Sequence, residues 1–281
     1  MNNLKVGILM AGITALFVLC GNALGGSAGI IIAVVLALVM NIGTYWFSDK
    51  LVLKMTRAIP IDPQQAPELH EMVQSLSRRA GIPTPRLYLV PDASPNAFAT
   101  GRNPANGVVA VNQGLLDILN REEVEGVIAH EIAHIKHRDT LTSAIVATMA
   151  GAISSIANMA MFASMFGGGN NDEEGGNPLV GLLLMIVAPL SAMLIQLGIS
   201  RAREYEADKT AAQLVGSGRG LQNALIKLHK GVNAMPGHMS PTAAHMCIVN
   251  PFGSLTRGMA SLFSTHPPME ERVRRLEALR G

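Results

Sequence analysis

Four long stretches of the chain carry no charged residue: Val6–Leu24, Ala28–Phe47, Leu141–Phe166 and Leu179–Ile199. A helix needs roughly 20 mostly apolar residues to cross a bilayer, so all four are predicted spans. The third is rich in Ala, Ser and Met, and a buried soluble helix is its alternative. The first follows Lys5 and ends near "ALG" at 23–25, the outline of a cleaved secretory signal. A second span follows at once, which favours an uncleaved anchor. The link at 167–177 holds three acids and no base, and the link at 25–27 holds no charge. Lys50, Lys54 and Arg57 follow the second span, and Arg201 and Arg203 follow the fourth. Basic residues mark the cytoplasmic side. The predicted layout is two transmembrane helices in 1–47, a cytoplasmic part in 48–140, two transmembrane helices in 141–199 with a short outer loop at 167–177, and a second cytoplasmic part in 200–281. Gly21 and Gly25 form a GxxxG pattern, a packing face in membrane helices. With 28 glycines in the chain, coincidence is the better explanation.

Between and after the spans the pattern changes to that of a soluble α+β unit. "PELHEMVQSLSRRAG" at 67–81 has apolar residues at helical spacing, Pro67 in its first turn and Gly81 to end it. "RLYLV" at 86–90, "NAFATG" at 96–101 and "GVVAV" at 107–111 read as short strands. Asn120 starts a helix, with Glu123 placed for a capping box. Further helices are expected near 200–215, 219–230 and 268–280. Residues 232–265, rich in Met, Gly and Pro, have no assignable pattern.

Composition agrees with a membrane protein. Hydrophobic residues make up 49%, charged residues 15%, and mean hydropathy is +0.31; soluble domains average about 25% charged. A net charge of +2 gives no reason to expect nucleic acid as a partner. Cys20 and Cys247 do not make a disulfide framework. The four spans contain no His, Asp or Glu, which argues against a transporter with metal ligands at mid-membrane.

The candidate chemistry lies in "VIAHEIAHIKHRD" at 127–139. Residues four apart share a helix face, so His130 and His134 can hold one metal ion. Glu131 is rotated by about 100° from His130, where it can act on a water beside the metal as a general base. A catalytic zinc takes three protein ligands and leaves one position open. His137 lies too far along the helix to complete the set. In "SRAREYEAD" at 200–208, Glu204 and Asp208 are four apart. Glu204 is the expected third ligand and Asp208 the residue that orients a ligand histidine. No proline interrupts residues 106–177, so the His130 helix is expected to run unbroken into the third span. His134 then lies about 10 Å, and Glu204 about 8 Å, from the ends of adjacent spans. That matching depth selects Glu204.

"HEIAHIKHRD", "SRAREYEAD" and "STHPPMEERVRRL" at 264–276, in this order, resemble the HtpX family of bacterial membrane metalloproteases, of the same superfamily as the CAAX prenyl proteases. The resemblance covers nearly the whole chain. It implies a polytopic α-helical membrane protein with a cytoplasmic zincin-like (gluzincin) protease domain. It also implies a zinc endopeptidase of the inner membrane, linked to heat shock and to turnover of damaged membrane proteins, with one Zn²⁺ per chain. His130, His134 and Glu204 match the family's ligands and Glu131 its base. His266 stands where such families place a histidine and is the candidate oxyanion donor, with Tyr205 the weaker one. Asn96, Ala97, Phe98 and Ala99 are expected to form an exposed edge strand that pairs with an extended polypeptide substrate. The competing expectation is a scaffold in which zinc is only structural.

Overall fold

A computed structural model of the chain describes residues 2–143, 145–146, 201–234, 248 and 267–279. Most of the third span, all of the fourth, the outer loop and His266 lie outside the described residues. So does nearly all of 235–265, Ile248 excepted.

Helix α1 spans Asn2–Met55, but it is not straight. Gly26 has φ +56°. Asn41 Nδ2 donates to Thr14 Oγ1 at 3.0 Å and to the Met10 carbonyl at 3.4 Å. On a straight helix, residues 31 apart would stand about 46 Å from each other. The helix therefore folds back near Gly26 into a hairpin. The two limbs meet at Gly21 and Gly29, where a Cβ on either would collide with the other's carbonyl. Gly21 thus does lie at a helix contact, with Gly29 as its partner, against the expectation of coincidence. The segment Gly26–Met55 is long and apolar enough to cross a membrane. It exposes Ile31, Ile32, Val35, Leu36, Leu38, Val39 and Ile42. The helix continues to Met55, eight residues past the expected boundary at Phe47.

The other described residues form one α+β unit. Strand β1 (Ile59–Pro60) is followed by helix α2 (Pro67–Ala80), β2 (Arg86–Val90) and β3 (Ala97–Thr100). A 3₁₀ turn at Pro104–Asn106 leads into β4 (Val108–Asn112). Gly81 closes α2 in the left-handed conformation, φ 70°, as its position predicts. The sheet order is β1-β2-β4-β3, with β2 parallel to β4 and the other two pairs antiparallel. Short helix α3 (Gln113–Ile118) then leads to α4 (Arg121–Lys136). Helices α5 (Arg201–Val215), α6 (Arg219–Ala234) and α7 (Met269–Ala278) complete the described chain.

Helix α4 is the centre of this unit. It packs on α2, β3, α5 and α6. Val127, Ile128, Ala129, Ile132 and Ile135 are fully buried in a core shared with Leu76, Val109, Val111, Leu221, Leu225 and Leu276. At the crossing with α6, Gly126 faces the Leu221 backbone with no room for a Cβ. A helix buried on nearly every side has no solvent face, so the site residues it carries are held by packing all around.

Candidate metal centre

Helix α4 starts with the predicted capping box. Asn120 Oδ1 accepts from the Glu123 amide at 3.0 Å, and Glu123 accepts from the Asn120 amide at 2.9 Å. The helix then carries His130 and Glu131 into the interior, 1% and 4% exposed. It does not run on into the third span. His137 caps its end, Arg138 takes a left-handed φ of 58°, and a new helical segment begins at 139. This overturns the expected unbroken helix. The break turns Asp139 back toward the site, where its Oδ2 lies 3.3 Å from His134 Nδ1.

His130, His134 and Glu204 offer ligand atoms that all lie within 4.8 Å of one another. The two histidine Nε2 atoms are 3.1 Å apart. Glu204 places Oε2 at 3.7 Å from His130 Nε2 and Oε1 at 3.5 Å from His134 Nε2. Donors that share a tetrahedral zinc at about 2.0–2.1 Å stand about 3.4 Å apart. The closest approaches fall on either side of that value, each histidine meeting a different Glu204 oxygen, and the chemistry of two imidazoles and a carboxylate suits zinc. These residues fit the metal.

Outer partners hold the three in place. Asp208 lies one turn after Glu204 on α5, and its Oδ1 is 2.9 Å from His130 Nδ1, off the line of the ring N–H. Arg272 of α7 donates to both Asp208 oxygens, at 2.8 Å and 2.7 Å, and to the Ile248 carbonyl at 2.9 Å. Arg203 Nη1 donates to Asp139 at 3.2 Å.

The electrostatics favour a cation between the ligands. Burial lowers the His130 pKa to about 4 despite Asp208, keeping the ring neutral as a ligand must be. Burial also works against charge on His134, but Glu204, Asp139 and Glu131 outweigh it and raise its pKa to about 9. Burial raises Glu131 to about 8. Asp208 is held at about 2, because the Arg272 guanidinium overcomes the cost of burying a carboxylate.

Other sequence candidates fall elsewhere. His137 sits 3.4 Å from the Thr210 hydroxyl, outside the three-ligand group. Tyr205 stacks under the Arg275 guanidinium, 3.7 Å from the ring centroid. His266 lies outside the described residues. Strand β3 is at the sheet edge as expected, but Ala97, Phe98, Ala99 and Thr100 are all buried. It is therefore not an exposed edge. Asn96 precedes it and accepts a hydrogen bond from the Ile248 amide at 3.1 Å, so Ile248 lies against this end of the strand. Arg272 was not foreseen. Its signal lies in α7, where Met269, Arg272, Val273 and Leu276 form one stripe and Arg272 is the charged member of an apolar face.

The sequence model of Peptidase family M48 matches residues 63–280. A protein named Protease HtpX homolog from Pelotomaculum thermopropionicum is 50% identical over 281 residues, covering 99% of each chain. Another, from Persephonella marina, is 52% identical over 280 residues, covering 98% of this chain and 96% of its own. Protease HtpX from Legionella pneumophila is 50% identical with 99% of each chain covered. The crystal structure of S. mikatae Ste24p shares the fold, with TM-score 0.54 and 20% identity. That match covers 95% of this chain, which spans 62% of the length of Ste24p.

Proposed function

The chain belongs to peptidase family M48, and from that premise we propose that it is a zinc-dependent endopeptidase of the bacterial inner membrane. Its substrates in this reading are cytoplasmic loops and tails of misfolded or damaged membrane proteins. The observation that carries the reading is the His130, His134 and Glu204 donor set, its ligand atoms within 4.8 Å of one another, with Glu131 beside it on a buried helix.

A bound zinc supplies a Lewis acid that makes water acidic near neutral pH and polarises a carbonyl. The chain's own residues do the rest. His130, His134 and Glu204 hold the ion, and Asp208 orients His130. Glu131 accepts the proton of the attacking water and passes it to the departing amine. His266 donates to the developing oxyanion. The substrate backbone lies alongside β3, next to the Asn96 side chain that Ile248 contacts. In the four-span reading, the cutting site lies a short distance below the bilayer, out of reach of peptide bonds inside it.

The test is Glu131→Gln in protein purified in detergent. The variant should keep stoichiometric zinc and lose cleavage of an unfolded polypeptide. A chelator should abolish wild-type cleavage, and zinc should restore it. Equal cleavage by the variant and the wild type would show that Glu131 is not the base. Zinc binding without any wild-type cleavage would make the protein a zinc-stabilised scaffold.

A further inference from the structure

A second polar site lies away from the metal centre, where α1 meets the α+β unit. A cavity of about 330 Å³ is lined by Trp46, Phe47, Asp49, Lys50, Arg86, Arg102 and Asn106. Three of these are cationic and one is acidic. Asp49 is spoken for, at 2.7 Å from Arg86 Nη2. The Arg102 guanidinium stacks on the Trp46 ring at 4.5 Å from its centroid, and Lys50 Nζ lies 5.5 Å from the Phe47 ring. The cavity thus carries a net positive charge, and its volume falls within the range of small-ligand sites.

Its depth is readable from α1. The exposed apolar residues run from Ile31 to Ile42, then Trp46 and Phe47 stand half exposed, and charge begins at Asp49 and Lys50. Aromatic residues followed by basic ones mark the headgroup layer. Arg86 and Arg102 come from the α+β unit to the same level. We propose that this cavity binds the headgroup of an anionic phospholipid, its phosphate held by Lys50, Arg86 and Arg102, an assignment that rests on the membrane reading above. Arg102 follows β3 by two residues, so a bound headgroup would fasten the edge-strand loop to the bilayer surface.

Trp46 is the chain's single tryptophan, so its fluorescence reports on the cavity directly. The full chain in a maltoside detergent is titrated with short-chain phosphatidylglycerol, with phosphatidylcholine of the same chain length, and with inorganic phosphate. Phosphatidylglycerol should give a saturable change in emission, with at least tenfold weaker responses to the other two. In native mass spectrometry, a Lys50→Ala, Arg102→Ala double variant should retain phosphatidylglycerol at least tenfold less well. If the double variant loses its helical circular dichroism, Lys50→Gln alone, at an exposed position, should still weaken retention several-fold. Equal responses to the two lipids would reduce the signal to immersion in lipid and overturn the proposal. Inorganic phosphate matching phosphatidylglycerol would make the cavity a free-phosphate site, and unchanged retention by the variants would equally overturn it. Protein that stays dispersed without detergent would fail the membrane reading itself, a separate result seen before any lipid is added.

Discussion

Replacing Arg272 with leucine tests how the centre is held together. Arg272 is 2% exposed and makes two charge-assisted bonds to Asp208, itself 2% exposed, and one to the Ile248 carbonyl. Leucine leaves Asp208 buried without its main partner. Breaking a buried pair by removing one member costs about 3–5 kcal/mol, a large share of the roughly 5–15 kcal/mol that stabilises a folded domain. For a chain of this size the thermal midpoint should fall on the order of 10 °C. Metal affinity should fall as well, by about 10–100-fold, because Asp208 no longer has a fixed geometry toward His130. Adding Asp208→Asn to Arg272→Leu removes the stranded charge and should regain part of the stability, without regaining the metal affinity. The assays are thermal unfolding by circular dichroism in detergent and competition with a zinc chelator. A single variant within about 2 °C of the wild type would refute the reasoning. So would a double variant no more stable than the single one.

Glu204→Ala should sharply lower zinc content by metal analysis while the helical circular dichroism persists; full occupancy would remove Glu204 from the ligand set. Gly126→Ala should destabilise by about 1–3 kcal/mol, because its Cβ meets the Leu221 backbone, and a thermal midpoint at or above that of the wild type would contradict the close helix crossing. Protonation of His134 competes with metal. Its folded pKa is raised from 6.5 to about 9, so in metal-free protein its contribution to stability is full below pH 6.5 and lost as pH rises through 9. Zinc must displace that proton, so apparent zinc affinity should climb with pH up to about 9. A pH-independent affinity between 6 and 9, measured by calorimetry, would contradict this.

Much of this fold was legible because local signals and burial agree. Asn120 and Glu123 announce α4, Gly81 announces the end of α2, and the three predicted strands lie within two residues of where they form. Two members of the candidate metal group were legible because helical spacing alone puts His130 and His134 on one face. Strand β1 was not, since two exposed residues, Ile59 and Pro60, carry no period and pair only because β2 offers an edge. The burial of β3 was not, since alternation marks a strand but not what covers it. Arg272 was not, since it is one of six charges in a helix of three arginines and three glutamates. Only the neighbouring apolar residues at three- and four-residue spacing mark it as inward-facing, where it needs an acid to balance it.

The break after α4 changes why the third ligand arrives at the right level. Two straight helices leaving a membrane at equal depth would leave their relative rotation open, and Glu204 reaches the histidines at only one rotation of α5. Asp139 supplies that constraint. It becomes a partner where the helix breaks at Arg138, and it holds His134 Nδ1 on one side and Arg203 on the other. Arg203 directly precedes Glu204, so anchoring one residue sets the other. On the opposite side, one turn later on the same helix, Arg272 grips Asp208. Helix α5 is thus fixed by an ion pair on each side of its ligand, and both pairs involve carboxylates that also contact a ligand histidine. The positions of the three ligands are therefore coupled through charge, which accounts for a site whose donors already stand at metal-sharing distances.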